Sequence, residues 1–146
     1  MAATVLTACG NTSTTQVSSN FGEEVLRITA PDGEVREVDV YVADTGRERG
    51  RGLMGVEDLE GRAGMLFVFE TETITGFYML DTPMPLSIAW VGADGRVVDT
   101  ADMEPCPAEP CQTYLSDTAY QLAVEVPQGD LDDLGLVEGG QMERLG

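Results

Sequence analysis

The side chains that could do chemistry in this chain are carboxylates, tyrosines, hydroxyls, cysteines and arginines, because its 146 residues include neither histidine nor lysine. Without histidine, no Ser-His-Asp or Cys-His catalytic site can form within the chain, and zinc sites that need imidazole are excluded. Without lysine, Schiff-base catalysis and a lysine general base are also excluded. The composition therefore limits any activity to carboxylate, phenol, hydroxyl, thiol or guanidinium chemistry.

One rigid corner of the chain concentrates several of these groups. Asp81 and Thr82 precede Pro83-Met84-Pro85, and the two prolines fix φ and remove backbone donors. Asp81 and Thr82 could bond the local backbone as a turn cap. Alternatively, they could join Tyr78 and Arg51 in the wall of a small-ligand pocket. We predict these four side chains as the ligand-binding residues, and we predict no catalytic residue and no cofactor.

Cys106 and Cys111 flank a proline-rich loop, and three interpretations are open for them. In an oxidising compartment we expect a disulfide, whose short loop would contribute about 2 kcal/mol. A redox-active pair or a soft-metal site are the alternatives, since thiolates and thioethers suit Cu(I). Five of the seven methionines lie in the central third of the chain, at Met54, Met65, Met79, Met84 and Met103. Methionine more often fills gaps in a core, so we predict the disulfide and no metal.

Acidic residues outnumber basic ones by 26 to 8, which gives a formal net charge of -18. They are scattered from Glu23 to Glu143 instead of forming a tail, which indicates a solvated acidic surface. Such a surface repels phosphate backbones and anionic lipids, so we expect no nucleic-acid partner. No spacing among the carboxylates identifies a glycosidase-type pair or a calcium loop.

The N-terminal residues are typical of a bacterial-type lipoprotein. Leu6-Thr7-Ala8-Cys9-Gly10 fits a lipobox, in which the cysteine is lipidated after cleavage. Residues 10–22 are rich in serine and threonine and predict a flexible tether. Residues 1–8 lack a basic n-region and are short for an apolar h-region, so the sequence leaves the translation start open. The alternative is an unremarkable N-terminus with a chance cysteine.

The remaining chain must supply the elements that position these groups, and its patterns are mostly those of short strands. We predict strands over residues 25–29, 35–42, 65–69, 73–80, 86–91, 96–99, 120–126 and 141–145. A short helix ending at Leu53, with Asp44 or Thr45 as N-cap, and a helical turn over residues 130–134 complete the pattern. Many short strands at intervals of about ten residues predict a mainly β fold. We expect a compact antiparallel β-sandwich or barrel with one or two short helices.

Several of these segments together resemble the domain of unknown function 192 family, over nearly everything after about residue 24. The motifs that carry the resemblance are Arg51-Gly52-Leu53-Met54, residues 64–69, residues 77–82, residues 122–126 and residues 135–140. The resemblance implies a compact, mainly β domain, often secreted or membrane-anchored, with no established enzymatic activity. The family usually carries Trp-Met-Lys-Asn-Thr where this chain has residues 78–82. The chain therefore lacks that lysine cation and has an acid, Asp81, in place of an amide.

These observations lead to one prediction of organisation and function. We expect a residual lipoprotein signal in residues 1–9, a tether in residues 10–22 and a single β domain in residues 23–146. The domain would be held outside the cytoplasm by a lipid on Cys9, its only membrane contact, and would bind a small molecule or a protein partner without catalysis. The alternatives are an enzyme using carboxylate, tyrosine or arginine chemistry near Asp81, and a copper binder using methionine and cysteine.

Overall fold

The computed structural model describes residue 17 and residues 20–146 of the chain, so Cys9 and most of the predicted tether lie outside the described residues. The described part is built mainly of β-strands with two short helices, as predicted. In chain order the elements are β1 (Gly22–Thr29), β2 (Val35–Ala43), α1 (Gly46–Arg51), β3 (Gly64–Thr73), β4 (Leu86–Val91), β5 (Val97–Met103), β6 (Tyr120–Pro127), α2 (Leu131–Leu134) and β7 (Gln141–Arg144).

The seven strands form one sheet in the order β5-β4-β6-β3-β2-β1-β7. Neighbouring strands are antiparallel except for β2 and β3, which are parallel. The chain between these two strands, which includes α1, returns to the end of the sheet where β2 began. A single antiparallel bridge between Arg96 and Gln141 joins one end of β7 to the start of β5, but the sheet does not close into a barrel.

Helix α1 is short because both of its ends are fixed by local signals. The side chain of Thr45 accepts a hydrogen bond from the Glu48 backbone N–H at 3.2 Å, which caps the first turn. Gly52 ends the helix with a φ of 48°, a conformation that favours glycine. The predicted cap at Thr45 is therefore confirmed, and the helix ends before the predicted Leu53.

The sheet buries side chains on both of its faces. On one face, Tyr41, Phe67, Ile88, Trp90 and neighbouring residues form a cluster, called here the first core. The opposite face carries a second core of mainly aliphatic residues from β1, β2, β4 and β6 with α2. Because both faces are covered, β4 is buried throughout. Val17, within the predicted tether, is also buried against the first core.

Residues 74–80 do not continue as a strand, and the predicted strand over residues 73–80 is wrong beyond Thr73. The segment makes only isolated bridges, Phe77 with Tyr114 and Leu80 with Cys106. The physical reason is that β3, which leads into this segment, already pairs with β2 on one side and β6 on the other, while the edges of the sheet lie at β5 and β7. The segment packs instead over the first core.

No helix in the described part of the chain combines the length and the apolar character that crossing a membrane requires.

Candidate functional site

A cavity of about 430 Å³ opens on the sheet face that carries the first core. It is called here the α1 cavity. Its lining comes from α1 and the residues that follow it to Met54, from two phenylalanines of β3, from the segment 75–78, and from Thr82 and Glu125. A chain segment with little regular structure thus closes one side, while the sheet forms the bottom.

Three of the four predicted ligand-binding residues line this cavity. Arg51 is exposed at the end of α1, and Tyr78 is 45% exposed on the opposite segment. Thr82 is buried, and its hydroxyl donates a hydrogen bond to the Leu80 backbone oxygen at 3.2 Å. The structure therefore brings Arg51 and Tyr78 together around one space, and it gives Thr82 the local turn bond that the sequence also allowed.

Asp81 is exposed and does not line the α1 cavity. Its φ is 54°, in the left-handed region that aspartate tolerates better than most residues. Its backbone N–H donates to the Cys106 oxygen at 3.1 Å, and its own carbonyl oxygen accepts from Gly55 at 2.8 Å. Asp81 thus ties together the loop after α1 and the cysteine loop, and its role in ligand binding stays a prediction.

Glu125 is the cavity residue that the sequence reasoning missed. It lies in β6 between Met65 of β3 and Ile88 of β4, both in the first core. Since β6 is flanked by strands on both sides, the side chain must project from a face of the sheet, and its neighbours place it on the cavity face. Glu125 is only 5% exposed. The available signal was a single acid inside the apolar run of residues 122–126.

Burial changes the chemistry of the Glu125 carboxyl. Desolvation disfavours the ionised form and raises the pKa of Glu125 to about 8. Its side chain makes no hydrogen bond or ion pair with any residue that the structure describes. The bottom of the α1 cavity therefore holds a carboxyl that is largely protonated at neutral pH and able to donate as well as accept a hydrogen bond.

Arg49 also lines the cavity, but its guanidinium is already engaged. It donates to the backbone oxygens of Asp44 at 2.8 Å and Val68 at 2.9 Å. It also lies over the Phe69 ring, with 4.9 Å from Cζ to the ring centroid. These contacts fix α1 against β3, so Arg49 acts mainly to hold one wall of the cavity in place.

The opposite wall is held by aromatic packing. Phe77 packs edge-on against Phe67, with 5.2 Å between ring centroids, and its backbone pairs with Tyr114. The Tyr120 hydroxyl donates to the Thr75 backbone oxygen, and burial raises the pKa of Tyr120 to about 12. The hydroxyl therefore stays protonated at all ordinary pH values and keeps donating to segment 75–78.

Cys106 and Cys111 form a disulfide bond, as predicted. The backbone N–H of Cys106 donates to the Met79 oxygen at 3.2 Å, so the loop between the cysteines is tied to the segment that borders the cavity. In the described residues no group of three His, Cys, Asp or Glu side chains is placed to hold a metal ion. Met65, Met79 and Met103 are buried in the first core, where they fill space among apolar side chains.

Residues 27–144 match the model of a protein family, DUF192, described as "Uncharacterized ACR". The chain belongs to the DUF192 family. This confirms the family resemblance of the sequence, although the family description gives no activity. No curated protein matches the chain.

Two solved structures are similar to this DUF192 chain. A protein of unknown function from Novosphingobium aromaticivorans DSM 12444 has a TM-score of 0.72 and 26% identity, over 82% of this chain and 83% of its own. A protein from Sinorhizobium meliloti 1021, named as a candidate transcription regulator, has a TM-score of 0.76 over 85% of this chain and 95% of its own. Because its identity is 22%, the second likeness shows the fold alone.

Proposed function

We propose that this DUF192 chain is a small-molecule binding domain whose ligand occupies the α1 cavity. The observation that supports this most is the lining of the cavity. The Arg51 and Tyr78 side chains and the buried Glu125 carboxyl converge on one space of about 430 Å³ with aromatic walls. Ligand pockets typically occupy roughly 300–1,000 Å³ and combine apolar walls with a few polar groups. Among the described residues that line it, Glu125 is the one acid, which favours binding over two-carboxylate catalysis.

The test is a thermal-shift screen of sugars, small acids, nucleotides, amino acids and metal ions, with a variant that blocks the cavity. Gly50 lines the cavity, and a Cβ added there meets no atom within 4 Å, so Gly50→Trp should fold and fill the opening. A ligand present at 100 times its Kd should stabilise the wild type by about 2.7 kcal/mol. Gly50→Trp should abolish this stabilisation.

The matched control is Gly22→Trp, because Gly22 has the same free space but lies in β1, outside the cavity. It should respond to each ligand as the wild type does. Compounds that stabilise the wild type and Gly50→Trp equally would bind outside the cavity. A screen in which no compound stabilises the wild type would favour the alternative that the domain binds a protein partner.

Acid–base catalysis is a second candidate function, and Glu125 is the observation that favours it. A carboxyl with a pKa near neutrality inside a cleft is suited to give or take a proton. The residue proposed to carry out catalysis is therefore Glu125, in place of Asp81. Each screened ligand should be incubated with wild type and Glu125→Gln and analysed by mass spectrometry. Product formed by the wild type but not by the variant would establish catalysis; unchanged ligand with both would leave binding alone.

We further propose that the domain is held outside the cytoplasm by a lipid on Cys9. The lipobox, the polar tether and the disulfide support this, since disulfides persist mainly in oxidising compartments. Expressed in a bacterium with the lipoprotein pathway, the wild type should partition with membranes. Cys9→Ser should leave the membrane fraction, whereas Ser13→Ala in the tether should not. Equal membrane partitioning of wild type and Cys9→Ser would contradict the anchor.

A further inference from the structure

The α1 cavity contains a buried acid without a polar partner. Glu125 is 5% exposed, and its carboxyl makes no hydrogen bond to a side chain or backbone group of the described residues. The carboxyl is reached from the cavity that it lines. Burial leaves this carboxyl only partly hydrated. A ligand that donates a hydrogen bond to it compensates for the hydration lost on folding. The bottom of the cavity therefore selects for a hydrogen-bond donor, and an ammonium group is the strongest donor for a carboxylate.

The lining of the cavity also contains a cation without a partner. Within the described residues, Arg47 and Arg51 are the two arginines whose side chains make neither a hydrogen bond nor an ion pair. Of these two, only Arg51 lines the cavity. An unpaired guanidinium is suited to bind a carboxylate through two parallel hydrogen bonds. Arg51 therefore selects for an anionic group.

Three phenylalanines give the cavity apolar walls. Phe67, Phe69 and Phe77 line it, and Phe67 and Phe69 each pack edge-on against Phe77. Aromatic faces and edges give a large contact area to an apolar or aromatic group. A ligand held by Glu125 and Arg51 would place its apolar part against these rings.

The charge of the surroundings decides which charged ligand can enter. The net charge of -18 repels a simple anion as it approaches the protein. The same net charge attracts a simple amine, but Arg49 and Arg51, the two cations of the cavity, repel it inside the cavity. A molecule with one positive and one negative group has no net charge, so neither field excludes it, and its two groups match the two unpaired side chains.

We infer that the α1 cavity takes a small zwitterion, with its ammonium group on Glu125, its carboxylate on Arg51 and an apolar group against the phenylalanine rings. An α-amino acid with an apolar or aromatic side chain has this chemistry. The inference rests on the proposed small-molecule function and adds to it the class of ligand. Binding forms no covalent bond to the chain, and the one change in a side chain is the proton that the Glu125 carboxyl gives to the buffer.

Proton release provides a readout specific to Glu125. Burial raises the pKa of Glu125 to about 8, so much of the free protein carries this proton at pH 7. An ammonium group beside the carboxyl stabilises its ionised form, so binding should release a proton to the buffer. The other ionisable groups of the cavity are Arg49, Arg51 and Tyr78.

The experiment is isothermal titration of the full chain at pH 7 and low salt with two matched sets of ligands. L-phenylalanine is compared with phenethylamine, which lacks the carboxylate, and with 3-phenylpropionate, which lacks the amine. L-leucine is compared in the same way with isopentylamine and 4-methylpentanoate. At least one amino acid should bind, and each truncated analogue should bind at least tenfold more weakly. Titration in buffers of different ionisation enthalpy should show proton release for the amino acid.

Variants then assign each group to its partner. Arg51→Gln should lower the affinity for the amino acid at least tenfold while leaving the affinity for the matching amine unreduced. Arg47→Gln is the matched control, because it removes the same charge from the same helix outside the cavity, and it should leave binding unchanged. Glu125→Gln should weaken binding of the amino acid and abolish proton release.

Two results would overturn the inference. One is no binding of either amino acid, and the other is an amine or an acid that binds as tightly as the parent amino acid. If a different compound from the thermal-shift screen binds and Gly50→Trp abolishes its binding, the proposed function stands and only the zwitterion is wrong.

Discussion

At the scale of single residues, the α1 cavity depends on a carboxyl that the fold does not neutralise with a partner. Glu125 lies between Met65 and Ile88 in the middle of the sheet, where an apolar side chain would pack without cost. A glutamate at this place penalises the folded protein whenever it is ionised. A residue that costs stability and faces a cavity has the properties of a functional side chain.

The pH dependence of stability tests this description of Glu125. The pKa is raised from 4.5 to about 8 by burial, so the folded protein binds this proton more tightly than the unfolded chain. The free energy of unfolding that Glu125 contributes should therefore fall as pH rises from about 4.5 to 8 and level off above 8, by up to about 1.4 kcal/mol per pH unit. Because glutamine does not ionise, Glu125→Gln should not show this loss of stability as pH rises.

The measurement is urea denaturation of wild type and Glu125→Gln at half-unit intervals from pH 4.5 to 9. The difference between the two free energies of unfolding should grow in favour of the variant up to pH 8, because the other titrating groups contribute equally to both. A difference that does not change with pH would mean that the Glu125 carboxyl is hydrated and ionises normally.

At the scale of elements, the bottom of the cavity depends on how closely β3 approaches β6. Gly64 begins β3, and a Cβ added there would lie 1.9 Å from the Glu125 backbone oxygen. We expect Gly64→Ala to lower the free energy of unfolding by at least about 2 kcal/mol, because the backbone of β6 cannot yield cheaply. Gly22→Ala in β1, where a Cβ meets no atom within 4 Å, is the control and should change it little. Equal effects of both substitutions on urea denaturation would contradict this close approach.

The disulfide loop is the second element that shapes the site. It holds residues 79–81 through backbone hydrogen bonds from and to Cys106. Replacing both cysteines with serine should lower the free energy of unfolding by about 2 kcal/mol, since the closed loop restricts the unfolded chain. Wild type reduced with dithiothreitol is the control and should match the double variant in urea denaturation. A double variant as stable as the oxidised wild type would show that the loop adds no restraint.

The elements also show what the sequence could and could not predict. Residues 86–91 were predicted with their observed bounds because local alternation and the following turn define β4. Residues 74–80 have strand-forming residues, but both sides of the preceding strand β3 are taken by β2 and β6, which come from other parts of the chain. Glu125 was not predicted from the sequence, although it is a single acid in an apolar run, because only the placement of α1 and segment 75–78 shows that a cavity lies above it.

At the scale of the whole molecule, the chain has 26 acidic and 8 basic residues. Repulsion among the acidic side chains therefore competes with attraction within local ion pairs. The described ion pairs, such as Arg27 with Glu37 and Arg36 with Glu34, are largely exposed. Exposed pairs contribute little each, about 0–1 kcal/mol. Net repulsion among the remaining acids should therefore dominate the response of the protein to salt.

We therefore expect sodium chloride to stabilise the protein at pH 7.5. Raising it from 0.02 to 0.3 M shortens the screening length from roughly 20 to 6 Å, which weakens long-range repulsion between acids more than contacts within ion pairs. The free energy of unfolding should rise by roughly 1 kcal/mol or more, and Tm by about 4 °C for each kcal/mol. The control is the same titration near the sequence pI of 4.1, where the net charge vanishes and salt should have little effect. A Tm that falls with salt at pH 7.5 would mean that the ion pairs outweigh the net charge, because screening would then remove more attraction than repulsion.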